Sequence, residues 1–130
     1  MLSGRKLLVV DDDPDISALL SAVLEECGAQ VTLAPDAPTA LKRLYEANYD
    51  CIVADLRMPM LDGFAFLKTV RKMPAEVNGQ TPAVVFSAHA CEDFRQRALR
   101  SGFQEVLWKP KGVDLMPTTI ARLIQAAKSA

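Results

Sequence analysis

Five short apolar runs punctuate the chain, at Leu7 to Val10, Val31 to Leu33, Cys51 to Ala54, Ala83 to Phe86 and Val106 to Trp108. Each is rich in Val, Ile, Leu or Phe and bounded by polar residues or turn formers, which is the pattern of short strands buried on both faces. Between them the apolar positions switch to helical spacing. Ile16, Leu19, Leu20, Val23, Leu24 and Cys27 recur at i, i+3 and i+4, with Asp13 placed to cap the helix, Pro14 at its first position and Gly28 as its stop. Ala37, Ala40, Leu41, Leu44 and Ala47 predict a second helix over Asp36 to Asn48, and Phe64, Phe66, Leu67 and Val70 a third over Gly63 to Lys72. A fourth, over Cys91 to Arg100, brings Phe94, Ala98 and Leu99 together ahead of Gly102, and a fifth, over Asp114 to Lys128, aligns Ile120, Leu123, Ile124 and Ala127.

Strict alternation of strand and helix, with strands that are continuously apolar, predicts an α/β domain in which a five-stranded parallel sheet is doubly wound by helices on both faces. The longest connection, KMPAEVNGQTP at 72 to 82, is polar and turn-rich and is expected to be a surface loop and the most mobile segment. With 130 residues the chain makes one domain, residues 1–130. Its net charge of −1 gives no overall reason to seek nucleic acid or anionic lipid, and no run approaches membrane-spanning length or a signal-peptide core, so a cytoplasmic location is expected. Cys27, Cys51 and Cys91 are odd in number and widely spaced, which points to reduced thiols rather than a disulfide framework or a zinc site.

The informative polar residues fall at one end of the strands. The first strand runs into Asp11, Asp12 and Asp13, the third into Asp55, the fourth into Ser87 and the fifth into Lys109. In a doubly wound sheet of order 2-1-3-4-5 the winding reverses between the first and third strands, and ligands gather outside the carboxyl ends there. Asp11, Asp12 and Asp55 against Lys109 leave two negative charges, a site that a divalent cation neutralises; oxygen donors without His or Cys favour Mg²⁺ or Mn²⁺. A metal, a lysine and a hydroxyl around a carboxylate nucleophile suit phosphoryl transfer, and Asp55, alone on its strand, is the better nucleophile. Asp13 is read only as the helix cap.

The stretches VVDDDPD, VADLRMPMLDGFAFL, VFSA and VLWKPKG, in this order and spacing, resemble the response-regulator receiver domain of two-component signalling, and the resemblance spans nearly the whole chain. It implies the flavodoxin-like (βα)5 fold with order 2-1-3-4-5. It further implies Asp55 as phosphoacceptor, Asp12 as a direct Mg²⁺ ligand, Asp11 as a ligand mainly through water and the Arg57 backbone carbonyl as another. Lys109 would contact the phosphoryl oxygens, the Ser87 hydroxyl would follow the phosphoryl group, and Ala88 would leave space for it. Arg57 and His89 match positions that tune access of the attacking water, and the Lys109 to Pro110 bond would be cis. The implied partners are a histidine kinase or histidine phosphotransfer protein and a downstream protein, with the domain itself a monomer or weak dimer that catalyses its own phosphorylation and dephosphorylation.

The sequence departs from the family pattern at Val106, where many receivers carry a Tyr or Phe that turns inward as the hydroxyl moves. Trp108, two residues on, shares that face of the strand by period-two geometry. Only Ser129 and Ala130 follow the last predicted helix, so the expected readout is another protein, and the chain is either a stand-alone regulator or part of a hybrid kinase. Gly63 is expected to permit tight backbone geometry beside the site, and Lys68, Arg71 and Lys72, like Arg95, Arg97 and Arg100, to form solvated helix faces. Two other functions compete with the receiver reading. A pseudo-receiver would bind partners without phosphorylation, and a haloacid-dehalogenase-type aspartyl phosphatase would use Asp11 as nucleophile and leave Asp55 without a role.

Overall fold

The computed structural model describes residues 1–88 and 91–129. Its strands are β1 (Lys6–Val10), β2 (Gln30–Ala34), β3 (Cys51–Ala54), β4 (Ala83–Ser87) and β5 (Glu105–Trp108). The helices are α1 (Pro14–Glu26), α2 (Ala37–Glu46), α3 (Gly63–Arg71), α4 (Glu92–Ser101) and α5 (Gly112–Ser129), with a 3-10 turn at Ala75–Val77. All strands are parallel, in the order β2-β1-β3-β4-β5. The predicted fold class and strand order are thereby met.

Period-two alternation divides the strands between two cores. Leu8, Val10, Ile52, Ala54, Ala83, Val85 and Val106 face α2, α3 and α4, where Leu44, Phe66, Leu67 and Val70 complete the packing. Leu7, Val9, Cys51, Val53, Val84 and Phe86 face α1 and α5, against Leu20, Leu24, Met116 and Ile120. Because both faces are covered, every residue of β3 and β4 is buried, which explains why those runs show no polar alternation.

The helix starts follow their caps. Asp13 accepts hydrogen bonds from the backbone N–H groups of Asp15 and Ile16, Asp36 from that of Thr39, and Asp62 from that of Ala65. The stripes differ from expectation in detail. Leu19 is 45% exposed and Leu99 39% exposed, while Ser17 and Ser101 are buried. A small serine approaches the sheet closely and anchors itself through its hydroxyl, which donates to the Asp11 carbonyl from Ser17 and to the Arg97 carbonyl from Ser101. The α5 helix begins two residues before the predicted Asp114 because the turn at Pro110 and Lys111 runs directly into it, Val113 and Asp114 donating to their carbonyls.

The connection at 72 to 82 is a surface loop at Lys72, Pro74 to Glu76 and Gln80, yet it carries a buried anchor. Asn78 is 3% exposed and in the left-handed region at φ 69°. Its amide nitrogen donates to the carbonyls of Leu44 and Ala47, which satisfies orphan acceptors at the end of α2, and its oxygen accepts from Tyr49 N–H and the Thr81 hydroxyl. Asn78 and Thr81 are a buried plug within a connection whose Lys72, Glu76 and Gln80 are exposed. Arg71 likewise leaves the solvated face assigned to it. Its guanidinium donates to the carbonyls of Gly102 at 2.8 Å, Thr81 at 2.7 Å and Gly79 at 3.2 Å, tying the end of α3 to the entries of β4 and β5.

Two outcomes follow from this packing. Arg71→Leu leaves those carbonyls without their donor and lowers stability by about 2 kcal/mol, read as a drop in the urea midpoint, whereas Lys72→Ala, on the exposed side of the same turn, stays within about 0.5 kcal/mol. Complete burial pushes the Cys51 thiol up to about 12. Alkylation of the native protein at pH 8 therefore labels exposed Cys91 and spares Cys51 until denaturant is added, as peptide mass mapping of the labelled sites will register.

Candidate functional site

Parallel register brings the polar strand ends to one edge. Val10 lies opposite Ala54, so Asp11 and Asp55 leave the sheet side by side, and Asp55 N–H donates to the Val10 carbonyl at 3.0 Å. Ser87 lies opposite Trp108, and Lys109 N–H donates to the Ser87 carbonyl at 2.7 Å, which carries Lys109 to the same edge. From there the Lys109 ammonium donates to Asp11 Oδ2 at 3.0 Å and Asp55 Oδ2 at 3.2 Å. The Phe86 ring lies 5.7 Å from the ammonium nitrogen and supplies an aromatic face to it.

The remaining oxygens of the two buried acids are held by backbone. Asp55 Oδ1 accepts from Leu56 N–H at 2.7 Å and Arg57 N–H at 3.4 Å, and Asp11 Oδ1 accepts from Asp13 N–H at 2.9 Å. Room for this turn depends on Gly63, the first residue of α3. A Cβ there would overlap the Asp55 carbonyl, while Gly63 N–H donates to the Leu56 carbonyl at 2.9 Å. The expectation of tight backbone geometry at Gly63 is met, and its cause is steric rather than a positive φ.

Burial raises the Asp11 pKa, and the Asp55 charge adds to that, against the opposing hydrogen bonds from Asp13 N–H and Lys109. For Lys109, burial acts against the ammonium but is outweighed by the hydrogen bond to Asp11 and the charges of Asp55 and Asp11, leaving its pKa raised. One carboxylate oxygen from each of Asp11, Asp12 and Asp55 lies within 4.8 Å of the others. Three carboxylates against one ammonium leave two negative charges. Such an all-oxygen donor set, with Asp12 exposed and Asp11 and Asp55 buried, fits a hard divalent cation that keeps some of its water.

Asp11, Asp12, Asp55 and Lys109 are thus brought together as the sequence predicts. Ser87 is fully buried at the end of β4, and Ala88, next along, is exposed. Arg57 turns its N–H toward Asp55 while its side chain is exposed. Val106 is buried in the α3 and α4 core, and Trp108 packs half-buried against that same core, so the two share a face. His89 lies outside the described residues. The Lys109 to Pro110 peptide is cis, as expected.

The sequence reading missed three neighbours of the site. Phe86, read only as strand core, also supports Lys109. Arg97 and Phe94 of α4 meet Phe64 of α3 in a groove that reaches Asp12. Their i, i+3 spacing hinted at a shared helix face, but nothing local indicated that this face lies against the β3 to α3 connection.

The family profile described as the response regulator receiver domain matches residues 7–121. A 14.6 kDa protein encoded in the sodA1 3' region of Leptolyngbya boryana is 46% identical over 125 residues, covering 95% of this chain and 90% of that protein. The receiver domain of response regulator 1452 from Francisella superposes with a TM-score of 0.86 at 34% identity, covering 95% and 99% of the two chains. The receiver domain of a sensor histidine kinase from Pseudomonas aeruginosa, with a magnesium ion coordinated in its active-site cleft, gives a TM-score of 0.85 at 28% identity over 95% of this chain and 99% of that one. Among larger relatives the chain spans 45% of the transcriptional regulator PrrA of Mycobacterium leprae and 8% of a hybrid histidine kinase of Dictyostelium discoideum. Both the match from β1 into α5 and the acidic edge of the sheet set aside the phosphatase alternative, and the chain belongs to the response regulator receiver domains of two-component signalling.

Proposed function

We propose that residues 1–130 act as one phosphoacceptor unit of a phosphorelay, taking a phosphoryl group onto Asp55 from a histidine of a partner kinase or histidine phosphotransfer protein. The observation that carries this reading is the fixed Asp55 carboxylate, with Oδ1 on backbone N–H groups and Oδ2 on Lys109, beside two further acids. An Asp55 oxygen attacks phosphorus, the P–N bond to the donor imidazole breaks, and an acylphosphate forms. Asp12 directly, Asp11 through water and the Arg57 backbone carbonyl would hold Mg²⁺, or Mn²⁺, which supplies positive charge for the phosphoryl oxygens.

Lys109 already stands between Asp11 and Asp55, so moving its ammonium onto a phosphoryl oxygen requires only a change of partner. The Ser87 hydroxyl donates to another phosphoryl oxygen, and Ala88 leaves space at the strand end. By the resemblance to the family, Arg57 and His89 occupy the positions that tune access of the water that later hydrolyses the acylphosphate. Readout is a shift of the face built from α4, β5 and α5 toward a downstream protein. A difference of a few kcal/mol between its two states suffices. With Val106 too small to act as an aromatic switch, Trp108 on the same face is the residue whose environment reports the shift.

The deciding experiment is intact-mass measurement after incubation with Mg²⁺ and acetyl phosphate. One added phosphoryl group is expected, absent in EDTA and in Asp55→Asn. No addition, from either acetyl phosphate or a histidine donor, by folded protein would favour the pseudo-receiver instead. A second outcome concerns stability. Since the folded Asp11 pKa is raised above its unfolded value, the folded state binds more protons between the two values, and ionisation there costs stability as pH rises. Asp11→Asn is therefore expected to raise the urea midpoint of metal-free protein at pH 7, while weakening its response to Mg²⁺.

A further inference from the structure

The sheet ends at β5, and with no strand beyond it side chains from the two helix layers can meet around that edge. Glu105, the first residue of β5, stands at the meeting point. Its Oε2 accepts from the Arg122 guanidinium of α5 at 2.9 Å, while its Oε1 accepts from Val106 N–H at 3.2 Å and faces the Arg95 guanidinium of α4 at 3.5 Å. Arg95 belongs to the layer that covers Val106, and Arg122 to the layer that covers Leu107. Among the described residues no other ion pair joins one layer to the other. Arg43 pairs with Glu46 inside α2, Arg5 with Asp50 at the strand entries, and Lys109 with the acids at the strand exits. The Glu105 side chain is 23% exposed, so its pairs are partly withdrawn from water yet open to salt.

Position gives this carboxylate its leverage. The β5 strand has only four residues, held at its entry by Glu105 and followed at its exit by Lys109, whose ammonium pairs with Asp11 and Asp55. The α4 helix buries only Ala98 and Ser101 and starts without a side-chain cap, so a weak ionic tie bears on it more than on a helix with a broad buried face. We propose that Glu105 is an electrostatic clasp that ties α4 to α5 around the end of β5 and holds α4 in the arrangement in which Lys109 sits between Asp11 and Asp55. Arg122 orients the carboxylate so that Oε1 is presented to Arg95, which makes a residue of α5 a support for α4. The clasp opposes the shift of the α4, β5 and α5 face and thereby sets how much of the shifted arrangement is populated before a phosphoryl group arrives. That regulatory role rests on the phosphoacceptor reading, whereas the tie itself does not. Partly exposed pairs are weak, which suits a bias on an equilibrium rather than a lock.

Hydrogen exchange read by mass spectrometry, on protein in EDTA without phosphodonor, tests the tie. Glu105→Gln keeps the side chain's shape and removes its charge. Peptides from α4 are expected to exchange about threefold to fivefold faster in this variant, with those of α1 and α2 unchanged. Arg95→Gln and Arg122→Gln should each reproduce part of the acceleration, although Arg122 lies on α5, and Arg100→Gln, at an exposed position of α4, should not. Raising salt from about 0.1 M to about 1 M, which shortens the screening length from about 10 Å to about 3 Å, should speed α4 exchange in the wild type and not in Glu105→Gln. Signalling is read separately. With Mg²⁺ and acetyl phosphate, Glu105→Gln should take up the phosphoryl group about threefold faster, because a looser α4 samples the shifted arrangement more often. If the wild type accepts no phosphoryl group, the phosphoacceptor reading and the regulatory role built on it fall together, and the exchange result still decides the tie. Unchanged α4 exchange in Glu105→Gln, acceleration spread evenly over all helices, an Arg122→Gln variant whose α4 matches the wild type, the same salt response with and without Glu105, or an unchanged uptake rate in protein that does accept the group would each overturn the proposal.

Discussion

Lys109 stands 3.0 Å from Asp11 and 3.2 Å from Asp55, and this shared ammonium is what lets two buried carboxylates occupy adjacent strand ends. A carboxylate removed from water without a partner is costly enough that the group would neutralise or the structure would open. Here one oxygen of each acid is met by the lysine and the other by backbone N–H groups. The arrangement exists only because β1, β3, β4 and β5 are parallel, so that four segments far apart in the chain bring their carboxyl ends to one edge of the sheet.

That edge is incompletely compensated. One ammonium against three carboxylates leaves excess negative charge, burial holds Asp11 above its ordinary pKa, and exposed Asp12 completes a donor set suited to a hard cation. The protein therefore stores unfavourable electrostatics where receiver domains do their chemistry, and the two hydrophobic layers behind it carry the stability that permits this. Rigidity is imposed from below as well. Asn78 closes the end of α2 and Arg71 binds α3 to the entries of β4 and β5, so the sheet end opposite the acids is fastened by buried polar contacts.

The α4 helix lacks the carboxylate cap that starts α1, α2 and α3. Its N-cap residue Cys91 makes no side-chain capping bond, and only Ala98 and Ser101 are buried. Among the described residues, Ala98 packs into the core, Arg95 pairs with Glu105 at 3.5 Å, and Arg97 and Phe94 stack with Phe64. Partly exposed ion pairs of this kind contribute little, on the order of 1 kcal/mol or less. An element so held can shift its equilibrium at small cost, which is what the proposed readout through α4, β5 and α5 demands.

Local chemistry was enough to reveal the alternating elements, the cap at Asp13, the buried continuity of β3 and β4, and the acids, hydroxyl and lysine at strand ends, because periodicity and capping act within a few residues. The switch-point rule for doubly wound sheets grouped Asp11, Asp12, Asp55 and Lys109, and the resemblance to receiver domains supplied part of the strand order and the role of each residue. What the tertiary structure alone decided were matters of distant partnership. Arg71 and Asn78 read as solvated or loop residues until the carbonyls they satisfy, eight to thirty-four positions away, were brought beside them. Arg97 likewise read as a surface charge until Phe64 came under it, and Leu19 as core until Ser17 took the place against the sheet. A side chain's periodicity states which way it points along its own element, and only the packing of the other elements states what it meets there.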